Sequence, residues 1–174
     1  MAGLNDVDVY LYSGCGAGRD ERVRECLRMS GFDDTDVRFL RTSTGKPYIE
    51  PCVAHFSVSH SGGIWACAVS GAPVGFDVEL VRYDRPLMAI AKRFFHPDEY
   101  DYLETAADQS EFFTIWTAKE SYVKFTGRGL YDGFDHFNTR SDETGLQYRH
   151  IPLEGYRMCV CAESIGDIIL RDQR

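Results

Sequence analysis

The chain has 174 residues, 44% hydrophobic and 26% charged, with 27 acidic residues against 19 Lys and Arg and a formal net charge of −8. That length suits one domain or two small halves sharing a core, the composition is ordinary for a globular protein, and the acidic balance argues against a general nucleic-acid binder. No apolar run approaches the roughly 20 residues of a membrane helix, and the start from Met1 to Asp6 lacks the basic flank and apolar stretch of a secretory signal, so a cytoplasmic protein with no membrane partner is expected.

Residues 7–12 alternate in polarity and predict a strand, which Gly14, Gly16 and Gly18 break. A helix over 19–29, closed by Gly31, comes next. Residues 37–40 predict a short strand, and 44–49 a turn feeding an extended segment. The runs 55–60 and 64–70 predict a hairpin turned by Ser61, Gly62 and Gly63. A third strand spans 74–80, and 86–94 is helical. His96-Pro97-Asp98-Glu99 opens another helix, with Pro97 where its missing N–H costs little. The longest helix covers 109–125 and stops at Gly127. Short strands are expected at 134–139, 145–151 and 156–163, and one more apolar run follows at 168–170. Strands and helices are mixed and most strand connections are hairpin-length, which predicts an α+β fold with antiparallel sheets. The chain has no P-loop and no G-x-G-x-x-G after a strand.

The six cysteines, Cys15, Cys26, Cys52, Cys67, Cys159 and Cys161, contain no C-x-x-C pair and are expected as free buried thiols. Cys159 and Cys161 lie in a strand-like run whose spacing does not favour zinc. Basic residues gather at Arg19, Arg22, Arg24 and Arg28, and again at Arg82, Arg85, Lys92 and Arg93. Both sets read first as solvated surface; the second also offers an acidic partner a place to dock.

The strand at 74–80 is the most informative segment. Val74, Phe76, Val78 and Leu80 share one face, and Gly75, Asp77 and Glu79 the other. The two carboxylates stand about 7 Å apart along the backbone, a spacing that lets both reach one hard cation such as Mg²⁺. Alone, such a pair reads first as a solvated acidic face. In the long helix, Phe112, Ile115, Trp116, Ala118, Tyr122 and Val123 form an apolar stripe with Glu120 and Lys124 as i, i+4 neighbours on its edge. Glu120 could complete a three-carboxylate site with Asp77 and Glu79, while Lys124 held a phosphate. His60, before the Ser-Gly-Gly turn, could donate to a phosphate oxygen. Counting by twos puts it on the face of Phe56 and Val58, so either the strand ends at Ser59 or His60 is half-buried.

Taken together these residues resemble the surfactin-synthetase-type 4′-phosphopantetheinyl transferases. The matches run in order: Gly45-Lys46-Pro47; Phe56-Ser57-Val58-Ser59-His60-Ser61; Val74-Gly75-Phe76-Asp77-Val78-Glu79; Phe94-Phe95-His96-Pro97-Asp98-Glu99-Tyr100; Trp116-Thr117-Ala118-Lys119-Glu120-Ser121-Tyr122-Val123-Lys124; then Gly127-Arg128-Gly129-Leu130. The resemblance implies two similar, pseudo-two-fold-related α+β halves, 1–73 and 74–174, each a small antiparallel sheet packed with helix, the first half shortened, and the active site between them. It implies transfer of the phosphopantetheine arm of coenzyme A to a serine of an acyl, polyketide or peptidyl carrier protein, with Mg²⁺ (or Mn²⁺) and release of adenosine 3′,5′-bisphosphate, by a monomer. Asp77, Glu79 and Glu120 resemble the metal ligands, and Glu120 also the base for the carrier serine. Lys124 and His60 resemble pyrophosphate or 3′-phosphate contacts, Lys46 and Ser59 the residues lining the adenosine end. Glu99 matches an acid close to the cleft, and Trp116 reads as packing.

The chain departs from its family pattern upstream: no lysine precedes Lys46. Arg19, Arg22 or Arg41 would have to take over at the 3′-phosphate, and Arg82 stands where many relatives have lysine. The alternative readings are a non-catalytic coenzyme A or carrier-protein binding module and a metal-dependent phosphohydrolase.

Overall fold

The computed structural model describes residues 3–14, 18–129 and 133–174. Cys15, Gly16 and Leu130, named above, lie outside them. In chain order the elements are β1 (Val7–Ser13), α1 (Arg19–Met29), β2 (Arg38–Arg41), β3 (Pro47–Glu50), β4 (His55–Ser61), β5 (Ile64–Ser70), β6 (Gly75–Leu80), α2 (Leu87–Phe94), α3 (Pro97–Thr105), α4 (Glu111–Thr126), β7 (Gln147–Leu153), β8 (Tyr156–Ala162) and β9 (Ile168–Asp172). Short 3₁₀ turns occupy Phe134–His136 and Asp142–Thr144. The fold is α+β with mostly antiparallel sheets, as the hairpin-length connections predict. Among the described residues no helix is long and apolar enough to cross a membrane.

One sheet has the order β4-β5-β1-β9, a second β6-β8-β7, and β2 pairs with β3 alone. The last strand returns to lie parallel to β1, Val7 beside Ile168, so the first sheet draws on both ends of the chain. Strand alternation assigns each side chain its layer. Val7, Val9 and Leu11 of β1 and Ile64, Ala66 and Ala68 of β5 meet Phe76, Val78, Met158 and Val160 in a core between the two sheets. Tyr10, Trp65, Cys67 and Val69 point the other way, onto Val23, Cys26 and Leu27 of α1. Phe76 and Val78 are fully buried; burial of such side chains stabilises by roughly 1.5–3 kcal/mol each.

The far face of β6 carries α4. A Cβ at Gly75 would lie 2.0 Å from the Ser121 carbonyl oxygen, so only glycine lets the helix backbone press this closely on the strand. On its other side α4 meets α2 and α3 through Phe95, Phe112, Trp116 and Phe134. It is therefore buried well beyond the expected stripe: Phe113, Thr117, Lys119 and Ser121 are inside as well. Gly127, at φ 70°, ends it in the left-handed conformation.

Two expectations fail. No strand forms at 134–139, because that segment's backbone groups are taken by side chains: Lys119 donates to the carbonyls of Phe134 and Phe137, and Thr139 N–H donates to Glu99. The free thiols are not all buried: Cys26, Cys67, Cys159 and Cys161 are, but Cys52 is exposed in the turn before β4.

Candidate active site

The edges of β4 and β6 are joined by side chains. Ser57, Ser59 and Ser61 all point from β4 toward β6, at every second residue. Ser57 Oγ accepts from Phe76 N–H at 3.0 Å, Ser59 Oγ donates to Asp77 Oδ1 at 2.7 Å, and Ser61 Oγ donates to Glu79 Oε2 at 2.6 Å. Ser61 Oγ also accepts from Leu80 N–H at 3.0 Å. The strand thus continues past Ser59, and His60, on the opposite face, is exposed rather than buried.

A cavity of about 580 Å³ opens where β4, β6, the C-terminal half of α4 and the loop before β3 meet. Asp77, Glu79, Glu120, Lys124, Lys46, Ser59 and His60, separated widely in sequence, all line it. Lys124 Nζ lies 2.7 Å from Asp77 Oδ1. Lys46 Nζ donates at 2.6 Å to the carbonyl of Phe125, at the end of α4 where backbone oxygens lack helical partners. Burial pushes the Lys46 ammonium below its ordinary value.

The acids are costly to ionise where they stand. Burial raises Asp77, with Lys124 acting against it, and burial raises Glu79, with its bond from Ser61 opposing. Glu120 is pushed up to about 7, first by burial and then by the charge of Asp77. A carboxylate held near neutrality beside others is suited to exchange a proton.

The donor set fits a hard cation. It is all oxygen, and Asp77 Oδ2 is buried with no hydrogen-bond partner, the single such side-chain atom among the described residues. An orphaned carboxylate oxygen is expensive unless a ligand completes it. Asp77 is bonded instead to Lys124 and Ser59, and Glu79 to Ser61, and among the described residues no group of three Asp, Glu, His or Cys side chains is close enough to hold a metal ion.

The sequence reading missed Ser61, which grips Glu79; the period-two serines were the available signal. The structure also separates the three upstream arginines. Arg19 and Arg41 line the cavity, and their mutual repulsion adds to burial in lowering Arg19. Arg22 instead lies over the rings of Tyr12 and Trp65, 5.4 Å from each centroid, and donates to the Gly14 carbonyl. Glu99 lies away from this cavity, fully buried beside Lys119.

Comparison with known proteins identifies the family. The family model of the 4′-phosphopantetheinyl transferase superfamily matches residues 73–172. The 4′-phosphopantetheinyl transferase Sfp of Bacillus subtilis is 37% identical over 163 residues, covering 82% of this chain and 71% of that protein. The psf-1 transferase of Bacillus pumilus is 40% identical over 121 residues, covering 67% and 51%, and the gsp transferase of Aneurinibacillus migulanus is 35% identical over 121, covering 68% and 50%. The chain belongs to the 4′-phosphopantetheinyl transferase superfamily. It spans from about half to 71% of the length of these relatives.

Proposed function

We propose that this chain transfers the 4′-phosphopantetheine arm of coenzyme A to a serine of an apo carrier protein, with Mg²⁺, releasing adenosine 3′,5′-bisphosphate. The observation that carries the proposal is the meeting of Asp77, Glu79, Glu120 and Lys124 with Lys46, Ser59 and His60 on one cavity. Asp77, Glu79 and Glu120 would hold the cation, with the free Asp77 Oδ2 as the most available ligand. Bound there, Mg²⁺ would neutralise pyrophosphate charge.

The serine oxygen forms a bond to the β-phosphorus, and the bond from that phosphorus to the bridging oxygen breaks. Glu120 takes the hydroxyl proton, directly or through water. Lys124 offsets charge gathering on the phosphate oxygens. His60 supports the phosphates from the exposed face of β4. Lys46 and Ser59 line the nucleotide end, and Arg19 and Arg41, the two upstream arginines on the cavity, serve its 3′-phosphate. We take the unit as a cytoplasmic monomer divided near residue 73, the site lying between its halves.

The test is intact-protein mass spectrometry of apo carrier proteins incubated with this protein, coenzyme A and Mg²⁺. One phosphopantetheine arm should be added, and chelation should abolish the gain. Binding of coenzyme A with no mass gain on any carrier class would replace the proposal with a non-catalytic binding module. Release of free phosphopantetheine would indicate a hydrolase.

A further inference from the structure

Directly beside Glu120 in sequence, Lys119 is buried with Glu99, neither side chain exposed at all, their charged atoms 2.7 Å apart. An ammonium has three N–H donors, and all three are used: Glu99 Oε2, the Phe134 carbonyl, and the Phe137 carbonyl at 2.7 Å. The Phe137 ring lies 4.3 Å from the Lys119 nitrogen. Glu99 is equally committed. Its Oε1 accepts from Thr139 N–H at 2.8 Å and Thr139 Oγ1 at 2.7 Å, and its Oε2 from His96 N–H at 3.2 Å, closing the N-terminus of α3. One ion pair therefore ties α3, α4 and the segment 134–139 together.

Successive residues of a helix are turned about 100° apart, so Lys119 points into this knot while Glu120 lines the cavity. On the other side of Glu120, the Ser121 backbone is pressed on Gly75. Glu120 thus sits between two fixed points. We propose that Glu99 and Lys119 are positioning residues that fix the rotation of α4 and so keep Glu120 facing the cavity that Asp77 and Glu79 also line, and that Glu99 takes no part in the chemistry. The inference rests on the transferase reading above.

The experiment compares wild type, Glu99→Gln, Lys119→Met and the double variant, assayed well below each melting temperature. It reads melting temperature, Mg²⁺ affinity by calorimetry, and kcat and KM for coenzyme A. Lys119→Met should be the least stable, because it strands the Glu99 charge; the double variant should melt higher than Lys119→Met. Even so, the double variant should keep kcat and Mg²⁺ affinity roughly 10- to 100-fold below wild type, as for other groups that orient a metal ligand. KM for coenzyme A should stay within about twofold. Should Lys119→Met fail to fold, the double variant and Lys119→Arg carry the comparison.

Full recovery of kcat and Mg²⁺ affinity in the double variant would reduce the pair to a stabilising contact and overturn the proposal. So would a Glu99→Gln enzyme with wild-type stability and metal affinity but a collapsed kcat, which would put Glu99 in the chemistry. Absence of Mg²⁺ binding and transfer in wild type would strike the transferase reading instead.

Discussion

Two lysine–carboxylate pairs, both at 2.7 Å and both formed by the long helix α4, behave as opposites. In Lys119–Glu99 neither partner is exposed and each carboxylate oxygen of Glu99 has partners. In Lys124–Asp77 the lysine side chain is 28% exposed to the cavity, and one oxygen of Asp77 has no partner. The first pair is complete and can only hold; the second is incomplete and has capacity for a ligand. Identical chemistry thus divides into scaffold and site according to whether the surrounding atoms satisfy it.

The largest expected effect separates the pairs by stability. Lys119→Met should cost about 3–5 kcal/mol, the usual result of stranding a buried charge, whereas Lys124→Met should cost less in a denaturant titration, because the Lys124 side chain is already 28% exposed and Asp77 keeps the bond from Ser59 Oγ. Equal losses would erase the distinction. On activity the order should invert at the site: Glu120→Gln should lower kcat by at least about 100-fold with no loss of melting temperature. Retained turnover would remove Glu120 from the mechanism.

Next in size is the dependence of stability on pH. Asp77, Glu79 and Glu120 bind protons more tightly folded than unfolded, so their contribution to stability is full at acid pH and is lost as pH rises. For Glu120 the loss runs from the ordinary 4.5 up through about 7. Mg²⁺ should therefore raise the melting temperature by several degrees at pH 8 and much less at pH 5.5. A larger gain at pH 5.5 would contradict the raised carboxylates. A smaller effect is expected at the cavity's other end: Arg19→Gln or Arg41→Gln should raise KM for coenzyme A roughly tenfold, by losing a charged hydrogen bond, with little change for 3′-dephospho-coenzyme A, while Arg22→Gln should leave discrimination intact. The smallest effect is at the surface. Reversing Arg82, Arg85 and Arg93 should weaken carrier affinity a few-fold and flatten its salt dependence; no change would place docking elsewhere.

Much of this was legible in the residues themselves. The alternation of Val74 to Leu80 put Asp77 and Glu79 on one face, and the glycine at 127 ended α4 in the left-handed turn it requires. The ordered motifs named the family before any geometry was known. Other features were not legible because their causes are distant in sequence. Residues 134–139 have a strand-like composition, but Lys119 and Glu99 claim their backbone groups first. Ser61 looked like part of a turn, and only the neighbouring edge of β6 makes it a partner of Glu79. Nor could the sequence tell that Arg19 and Arg41 line the cavity while Arg22 lies over Tyr12 and Trp65.

By itself the sequence determined the local structure and the chemical inventory: periodicity fixes which side chains share a face, glycine and proline fix where elements stop, and the motifs fix which acids and bases are present. The tertiary structure decided which of those groups are desolvated, which are satisfied, and which are left with an open valence toward a cavity. Those properties belong to contacts between segments far apart in the chain, where burial and hydrogen-bond supply set the energy of a charge, and no short window of residues contains them.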